Sequence, residues 1–271
     1  LSKRKSFVMK VAFSPDGFLL ATGGAEGEIT VWDVQSGQEL YTLQAPNSPI
    51  GSLAFSPNGA FMASVGVDET VKMTAIAGPD EDYALSVQYT LPGAGETAYT
   101  DAAFTPDGEI LSVTDWEGRV RLWKTASGEE VATLNSETIG LSSQVFYPVE
   151  SQAAGLTGGV TGADALLTSS YDGAITLWNY RTGETVQTRW DQGSAVTCVA
   201  FSPAGAGFAV GLDDGGVVFY SPTSSQALWE GYEHEFTVND VAFSANGSLL
   251  ASAGNDQMIR LWNPKDGSLI K

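Results

Sequence analysis

The chain has 271 residues, of which 43% are hydrophobic, and a formal net charge of −19. This composition excludes a disordered chain, and no apolar run is long enough for a transmembrane helix. The single cysteine, Cys198, excludes an internal disulfide and a cysteine-based zinc site. Because no signal peptide is recognisable either, we expect a cytoplasmic protein, with the nucleus as the alternative.

The charge is unevenly distributed. Lys3, Arg4, Lys5 and Lys10 are 4 of the 13 basic residues, so residues 11–271 carry 9 basic and 32 acidic residues, a formal −23. Such a body repels phosphate groups, and we therefore expect neither nucleic acid nor an anionic membrane as a partner. The charge favours basic partners, while solubility alone is the alternative explanation.

Four short strands are predicted in the first repeat. Alternating residues from Val8 to Phe13 predict strand a, and the Ser-Pro-Asp-Gly sequence after Phe13 predicts a tight turn. Strands b, c and d are predicted at 18–22, 28–32 and 39–43, and glycine-containing turns separate them.

The same pattern returns five times. A phenylalanine at the end of strand a precedes the tryptophan position of strand c by 19 residues in five of six repeats, and the full period is 42 residues. Repeat four carries an insertion of 13 residues, and the link between repeats two and three carries one of 7. The paired positions are Phe13 and Trp32, Phe55 and Thr74, Phe104 and Trp123, Phe146 and Trp178, Phe201 and Tyr220, and Phe243 and Trp262. Even, short strands within a period of this length predict a β-propeller.

The predicted fold is all-β, a β-propeller with six four-stranded antiparallel blades in a single domain over residues 1–271. The blades are expected at roughly 6–43, 48–91, 97–134, 139–188, 194–229 and 235–271. The last repeat stops within strand d, so part of a seven-bladed or longer propeller is the alternative.

These residues resemble the WD-repeat family over essentially the whole chain. In that family a histidine before strand a, a serine or threonine in strand b, an aspartate in the b–c turn and the tryptophan of strand c form a hydrogen-bonded tetrad. Repeat six matches all four positions, with His234, Ser252, Asp256 and Trp262. The other repeats match in part, and repeat three keeps the tryptophan but has Glu117 at the position of the acid.

The resemblance gives His234 a structural role in place of a role as general base or metal ligand. With one histidine and one cysteine in the chain, a nucleophile activated by histidine and a zinc site are both disfavoured. We therefore predict no enzyme activity, no catalytic residue, no cofactor and no metal site.

The resemblance also implies where a partner binds. In the family, partners dock on the face bearing the d–a and b–c loops, through the residues six and four before the phenylalanine and the residue before the tetrad acid. Spacing transfers these positions to every repeat of this chain. The residues predicted to bind are Phe7, Met9, Trp116, Tyr171, Asp213, Asn239 and Asn255. The first four predict apolar anchors on blades one, three and four, and the others an acidic and polar flank on blades five and six.

The predicted function is a non-catalytic scaffold that binds a partner protein or a peptide, either basic or amphipathic. We expect the chain to be a subunit of a larger complex or a domain of a longer chain. An acidic, chaperone-like platform for basic tails such as those of histones is one alternative, and a propeller enzyme is another.

Overall fold

The computed structural model describes residues 7–44, 48–77, 84–91, 97–148, 162–188, 193–203, 205–224 and 226–271. This part of the chain contains 23 strands and a short 3-10 helix at Gly162–Asp164. The chain divides into two compact units, Leu1–Thr133 and Leu134–Lys271. In the described ranges there is no helix with the length and apolar character needed to cross a membrane.

The first unit holds three antiparallel sheets, each with its strands in chain order. Blade 1 consists of β1 (Val8–Phe13), β2 (Leu19–Gly24), β3 (Glu28–Asp33) and β4 (Glu39–Gln44). Blade 2 consists of β5 (Ile50–Phe55), β6 (Phe61–Gly66), β7 (Val71–Ile76) and β8 (Leu85–Leu91). Blade 3 consists of β9 (Tyr99–Phe104), β10 (Ile110–Asp115), β11 (Arg119–Lys124) and β12 (Glu130–Asn135), the last of which crosses the boundary between the units.

The second unit holds the remaining three sheets. Blade 4 consists of β13 (Leu141–Phe146), β14 (Ala165–Ser170), β15 (Ile175–Asn179) and β16 (Glu184–Thr188). Blade 5 consists of β17 (Val196–Phe201), β18 (Phe208–Leu212), β19 (Val217–Tyr220) and β20 (Ala227–Gly231). Blade 6 consists of β21 (Val238–Phe243), β22 (Leu250–Gly254) and β23 (Ile259–Trp262).

The prediction of an all-β chain with six antiparallel blades is confirmed. The sixth sheet has three strands, and the place of its fourth is taken by an isolated antiparallel bridge between Trp262 and Leu269. Most of the insertion predicted in repeat four, and the Lys3 to Lys5 run, lie outside the described residues.

The turn between strands a and b shows why the repeat folds locally. In blade 1 the Ser14 hydroxyl accepts the backbone N–H of Leu19 at 2.9 Å, and the Asp16 carboxylate accepts that of Phe18 at 3.0 Å. Gly17 closes the turn at φ 75°, a left-handed conformation that glycine adopts without steric cost. The Ser/Thr-Pro-Asp/Asn-Gly sequence thus supplies its own hydrogen bonds, which fixes the register of strands a and b.

Within each unit, consecutive blades pack face to face through one recurring interface. In the first unit Ala21 and Val31 of blade 1 form one apolar cluster with Leu53 on strand a of blade 2. In the second unit Leu167 of blade 4 packs in the same way with Phe201 on strand a of blade 5. The conserved spacing of the repeat therefore places alternate strand residues on the two faces of each sheet.

Two blades expose a face that the others bury. Val11 and Phe13 on strand a of blade 1 occupy the same strand positions as Leu53 and Phe55 in blade 2. Their side chains are nevertheless 61% and 60% exposed. In blade 6, Ile259 occupies the same strand position as the buried Ile29 of blade 1, but its side chain is 69% exposed.

Candidate functional site

The four tetrad residues of blade 6 lie within hydrogen-bond distance of one another. The Trp262 indole N–H donates to Ser252 Oγ at 2.8 Å, and the serine hydroxyl lies 2.7 Å from His234 Nε2. His234 Nδ1 lies 3.0 Å from each carboxylate oxygen of Asp256. The serine hydroxyl thus joins the indole to the imidazole, and Nδ1 of the imidazole lies beside both the carboxylate and the Arg260 guanidinium, whose Nη1 is 2.7 Å away.

Arg260 joins this set, although it is not one of the four tetrad positions of the sequence pattern. Its guanidinium donates to Asp256 Oδ2 at 2.6 Å from strand c, four residues further along the chain. Burial raises the pKa of Asp256, but hydrogen bonds from His234, the backbone N–H of Met258 and Arg260 lower it by more. The net result is a pKa well below the ordinary value, so the carboxylate is charged at neutral pH.

Blades 1 and 4 keep the hydrogen bond between the tryptophan and the residue of strand b, and blade 4 also keeps the turn acid, Asp172, which accepts the backbone N–H of Ala174 at 3.1 Å. The Trp32 indole donates to Thr22 Oγ1 at 2.9 Å, and the Trp178 indole donates to Thr168 Oγ1 at 3.0 Å. In blade 2, which has Thr74 at the tryptophan position, the buried Ser64 hydroxyl has no hydrogen-bond partner within the described chain.

The prediction that Glu117 is the tetrad acid of blade 3 is wrong. Glu117 is about half exposed, whereas Asp115, two residues earlier, is fully buried at the end of β10. Asp115 accepts the backbone N–H groups of Glu117 and Arg119 at 2.9 Å, and the Arg119 guanidinium donates to its Oδ2 at 2.7 Å. The arginine replaces the missing histidine as the charged partner of the acid.

Serines replace the histidine in two other blades. The Ser194 hydroxyl donates to the Asp214 carboxylate at 2.8 Å in blade 5, and Ser48 Oγ accepts the backbone N–H of Asp68 at 3.3 Å in blade 2. Both serines lie seven residues before the phenylalanine of strand a, where His234 lies nine before it. A search for a small hydroxyl residue near the histidine position would have found them.

The residues predicted to bind a partner meet at one recurring structure. In every blade the residue before the turn acid donates its backbone N–H to the carbonyl of the residue six before the phenylalanine. The six bonds are Ala25 to Phe7 at 2.9 Å, Val67 to Pro49 at 3.0 Å, Trp116 to Ala98 at 3.2 Å, Tyr171 to Gly140 at 3.0 Å, Asp213 to Ala195 at 3.0 Å and Asn255 to Thr237 at 2.8 Å. We call these residues, together with the residue that lies four positions before the phenylalanine, the loop surface of each blade.

The residue four before the phenylalanine is a β-bulge in every blade, because the pairing of strands a and b skips it. The bulged residues are Met9, Gly51, Thr100, Ser142, Thr197 and Asn239. A bulge turns a side chain away from its regular direction, which gives this position a different environment from the rest of the strand.

In blades 4 and 5 the bulged side chain is used within the protein. The Ser142 hydroxyl donates to the carbonyl of Val196 at 2.6 Å, and the Thr197 hydroxyl donates to that of Val238. Each bond joins the bulge of one blade to strand a of the next. At these two positions of the loop surface the hydroxyl groups therefore join neighbouring blades.

Large apolar side chains are exposed on the loop surfaces of blades 1, 3 and 4. The exposed fraction is 84% for Phe7, 52% for Met9, 48% for Trp116 and 44% for Tyr171. Single exposed apolar residues are common on protein surfaces, but all four lie on the loop surfaces, and Trp116 and Tyr171 occupy the same position of the repeat.

The polar flank lies on the loop surfaces of blades 5 and 6. Asp213 is exposed, and its carbonyl accepts the hydroxyl of Thr237 at 3.1 Å. Asn239 and Asn255 are also exposed, and the Asn239 amide donates to the Asn255 side-chain oxygen at 2.7 Å. The bulge and the b–c turn of blade 6 are thus joined by their side chains.

No group of three or more His, Cys, Asp or Glu side chains within the described ranges is arranged to hold a metal ion. The thiol of Cys198 is buried on β17, among apolar residues of blades 5 and 6.

Five segments of the chain match the profile described as "WD domain, G-beta repeat", at residues 2–33, 37–73, 85–124, 183–221 and 226–263. The chain belongs to the WD-repeat family. Strands β13 to β15 of the fourth repeat lie outside these segments, yet this WD-repeat chain forms a complete four-stranded blade there.

This WD-repeat protein is similar to much longer curated relatives. It is 23% identical over 286 residues to the periodic tryptophan protein 2 homolog of Dictyostelium discoideum, covering 96% of this chain and 29% of that protein. It is 25% identical over 271 residues to WD repeat-containing protein slp1 of Schizosaccharomyces pombe, covering 98% of this chain and 51% of that one. The chain thus spans about half or less of the length of these relatives.

A chain in the crystal structure of the mitotic checkpoint complex shares the fold of this WD-repeat protein. The TM-score is 0.80 at 22% identity, and the match covers 97% of this chain and 76% of that one. The predicted β-propeller fold is confirmed. Proteins of the WD-repeat family are generally non-catalytic scaffolds for protein interactions, and many are subunits of complexes.

Proposed function

We propose that this protein is a non-catalytic scaffold that binds a partner protein or peptide on the loop surfaces of its blades. The observation that carries the proposal is the exposure of four large apolar side chains on the loop surfaces, Phe7, Met9, Trp116 and Tyr171, the last two of which occupy the same position of the repeat. Aromatic and methionine side chains are enriched where binding energy concentrates, and aromatic rings bury a large area at low cost in conformational entropy.

The recurring hydrogen bond of the loop surface supports the proposal, because it fixes the backbone that carries the anchors. Trp116 and Tyr171 each donate a backbone N–H to the preceding d–a connection, at 3.2 and 3.0 Å. A side chain on a fixed backbone loses less entropy on binding than one on a loose loop, so these positions are suited to recognition.

Affinity capture from cells of the source organism tests this function with a matched pair of double variants. Trp116→Ala with Tyr171→Ala removes one anchor from each unit, and each loss should cost about 2 kcal/mol or more of partner affinity. The control is Val131→Ala with Leu228→Ala, which removes two exposed apolar side chains from the outer strands β12 and β20.

We expect specific partners to be retained by the wild type and the control but lost by the anchor variant. Equal retention by all three proteins would contradict a role for the loop surfaces. Direct affinity measurement on the recovered partner then gives the size of each contribution.

A further inference from the structure

The second unit contains a long segment without positive residues. Residues 190–259 include no lysine or arginine but eight acids, and the segment contributes most of blades 5 and 6. Arg260, which follows it, is engaged by the Asp256 carboxylate at 2.6 Å. The surface built by this segment therefore carries an uncompensated negative field.

Two exposed aromatic rings flank the b–c turn of blade 5. Tyr232 and Phe236 are 56% and 59% exposed, and they lie on the connection between β20 and β21. A Cβ placed on Gly216 would lie 2.8 Å from the ring of Tyr232, and one on Gly215 would lie 2.2 Å from the carbonyl oxygen of His234. The connection and the turn are thus in direct contact, and glycines in the turn make that contact possible.

A hydrogen bond joins the connection to the turn, because the Thr237 hydroxyl donates to the carbonyl of Asp213 at 3.1 Å. Within the turn, Asp214 accepts the backbone N–H of Gly216 at 3.0 Å, and it also accepts the Ser194 hydroxyl at 2.8 Å from the segment before β17. The aromatic rings and the turn acids therefore form one fixed surface, which we call the blade 5 aromatic surface: Asp213, Asp214, Tyr232, Glu233, Glu235 and Phe236.

Carboxylates lie on the same connection as the aromatic rings and on the neighbouring turn. Asp213, Glu233 and Glu235 are exposed, and within the described chain none of the three forms an ion pair. Burial, followed by the nearby charges of Glu230 and Asp214, raises the pKa of Tyr232. The charges of Glu230 and Asp214 are thus close enough to act on the Tyr232 side chain, and a cation at its ring would be attracted by them.

We propose that the blade 5 aromatic surface docks a segment of a partner protein that is rich in lysine and arginine. The aliphatic stems and cationic heads of that segment pack on Tyr232 and Phe236, while Asp213, Glu233 and Glu235 pair with its charges. This inference rests on the proposed scaffold function and names the chemistry of a partner segment at one of its loop surfaces.

Binding of a synthetic arginine- and lysine-rich peptide, labelled for fluorescence anisotropy, tests the inference on the full chain. Asp213→Asn with Glu235→Gln removes two charges from the surface without changing side-chain shape. Glu109→Gln with Glu184→Gln removes two exposed charges elsewhere and is the matched control. A peptide of equal length with serine and glutamine at the basic positions controls for nonspecific contact.

We expect the surface variant to weaken peptide binding by about tenfold or more and the control variant by less than about threefold. Tyr232→Ala with Phe236→Ala should weaken binding by about fivefold, with the loss persisting at salt concentrations that screen exposed charges. Equal weakening by the two charge variants would overturn the inference, because net charge alone would then explain binding. Equal affinity of the wild type for the basic and neutral peptides would also overturn it.

The two experiments test different residues. The capture experiment depends on Trp116 and Tyr171, neither of which belongs to the blade 5 aromatic surface, whereas the peptide experiment depends on Asp213, Tyr232, Glu235 and Phe236. If the basic peptide does not bind, this inference fails but the proposed role of Trp116 and Tyr171 does not. If the anchor variant retains its partners, the proposed role of those residues fails, and a positive peptide result still supports this inference.

Discussion

A single hydroxyl joins the tetrad of blade 6. Ser252 Oγ accepts the indole N–H of Trp262 and contacts the imidazole of His234, and the serine and tryptophan are almost fully buried. In blade 2 the corresponding Ser64 hydroxyl is equally buried but has no hydrogen-bond partner within the described chain. The same residue type at the same repeat position is therefore expected to contribute differently to the free energy of unfolding in the two blades.

Ser252→Ala should lower the free energy of unfolding by about 2 kcal/mol, because it leaves a buried indole N–H and an imidazole nitrogen without partners. Ser64→Ala should stay within about 0.5 kcal/mol of the wild type, since it removes an unsatisfied buried hydroxyl. Urea unfolding of both variants measures the difference. Equal losses would contradict the hydrogen-bond arrangement described for blade 6.

The Asp256 carboxylate should make the stability of the protein depend on pH in the acidic range. Its pKa is lowered in the folded state, so the stabilisation it gives is complete above its unfolded pKa of about 3.9 and is lost as the pH falls through the folded pKa. The gap in melting temperature between the wild type and Asp256→Asn should therefore narrow as the pH is lowered from about 5 toward 2.

Thermal melts over this pH range test the effect, with Glu109→Gln as a control for net charge. The Glu109 side chain is exposed and should show no narrowing gap. A gap between the wild type and Asp256→Asn that stays constant with pH would show that Asp256 does not carry the acid dependence.

At the scale of the element, the environment of strand a differs between blades that share its sequence. Phe104 of blade 3 is 8% exposed and packs with residues of blade 2, while Phe13 of blade 1, at the same repeat position, is 60% exposed. The repeat thus specifies the strand and its turn, whereas the neighbouring element determines how much of the strand is buried.

Phe104→Ala should lower the free energy of unfolding by about 3 kcal/mol or more, because it opens a cavity between two blades. Phe13→Ala should cost less than about 1 kcal/mol, since most of its ring already contacts solvent. Chemical denaturation of the two variants compares them directly. A loss at Phe13 as large as at Phe104 would mean that its ring is buried in solution.

The sequence predicted the strands and turns well because each one recurs with its own local signals. It predicted the tetrad acid of blade 3 poorly, because Asp115 and Glu117 are two residues apart and only burial distinguishes them. It could not predict that Ser142 and Thr197 bond to the next blade, because spacing alone does not show where a bulged side chain points. Arg260 was missed because its role depends on its distance from Asp256.

At the scale of the whole molecule, the proposed function depends on which side chains the repeat leaves exposed. The period fixes the loop surface of every blade, with the same backbone hydrogen bond from the residue before the turn acid. The residue types placed there differ, with large apolar side chains on blades 1, 3 and 4 and acids and amides on blades 5 and 6. A scaffold built in this way can vary its partner without changing its fold.

The loop surfaces are tested most directly by site-specific photo-crosslinking in the source cells. A photoreactive phenylalanine derivative is placed at Trp116 or Tyr171, and in control proteins at Val131 or Leu228, which are similarly exposed on outer strands. We predict a discrete crosslinked partner from Trp116 and Tyr171 and none from the two control positions. Crosslinks confined to Val131 and Leu228 would contradict a partner site on the loop surfaces.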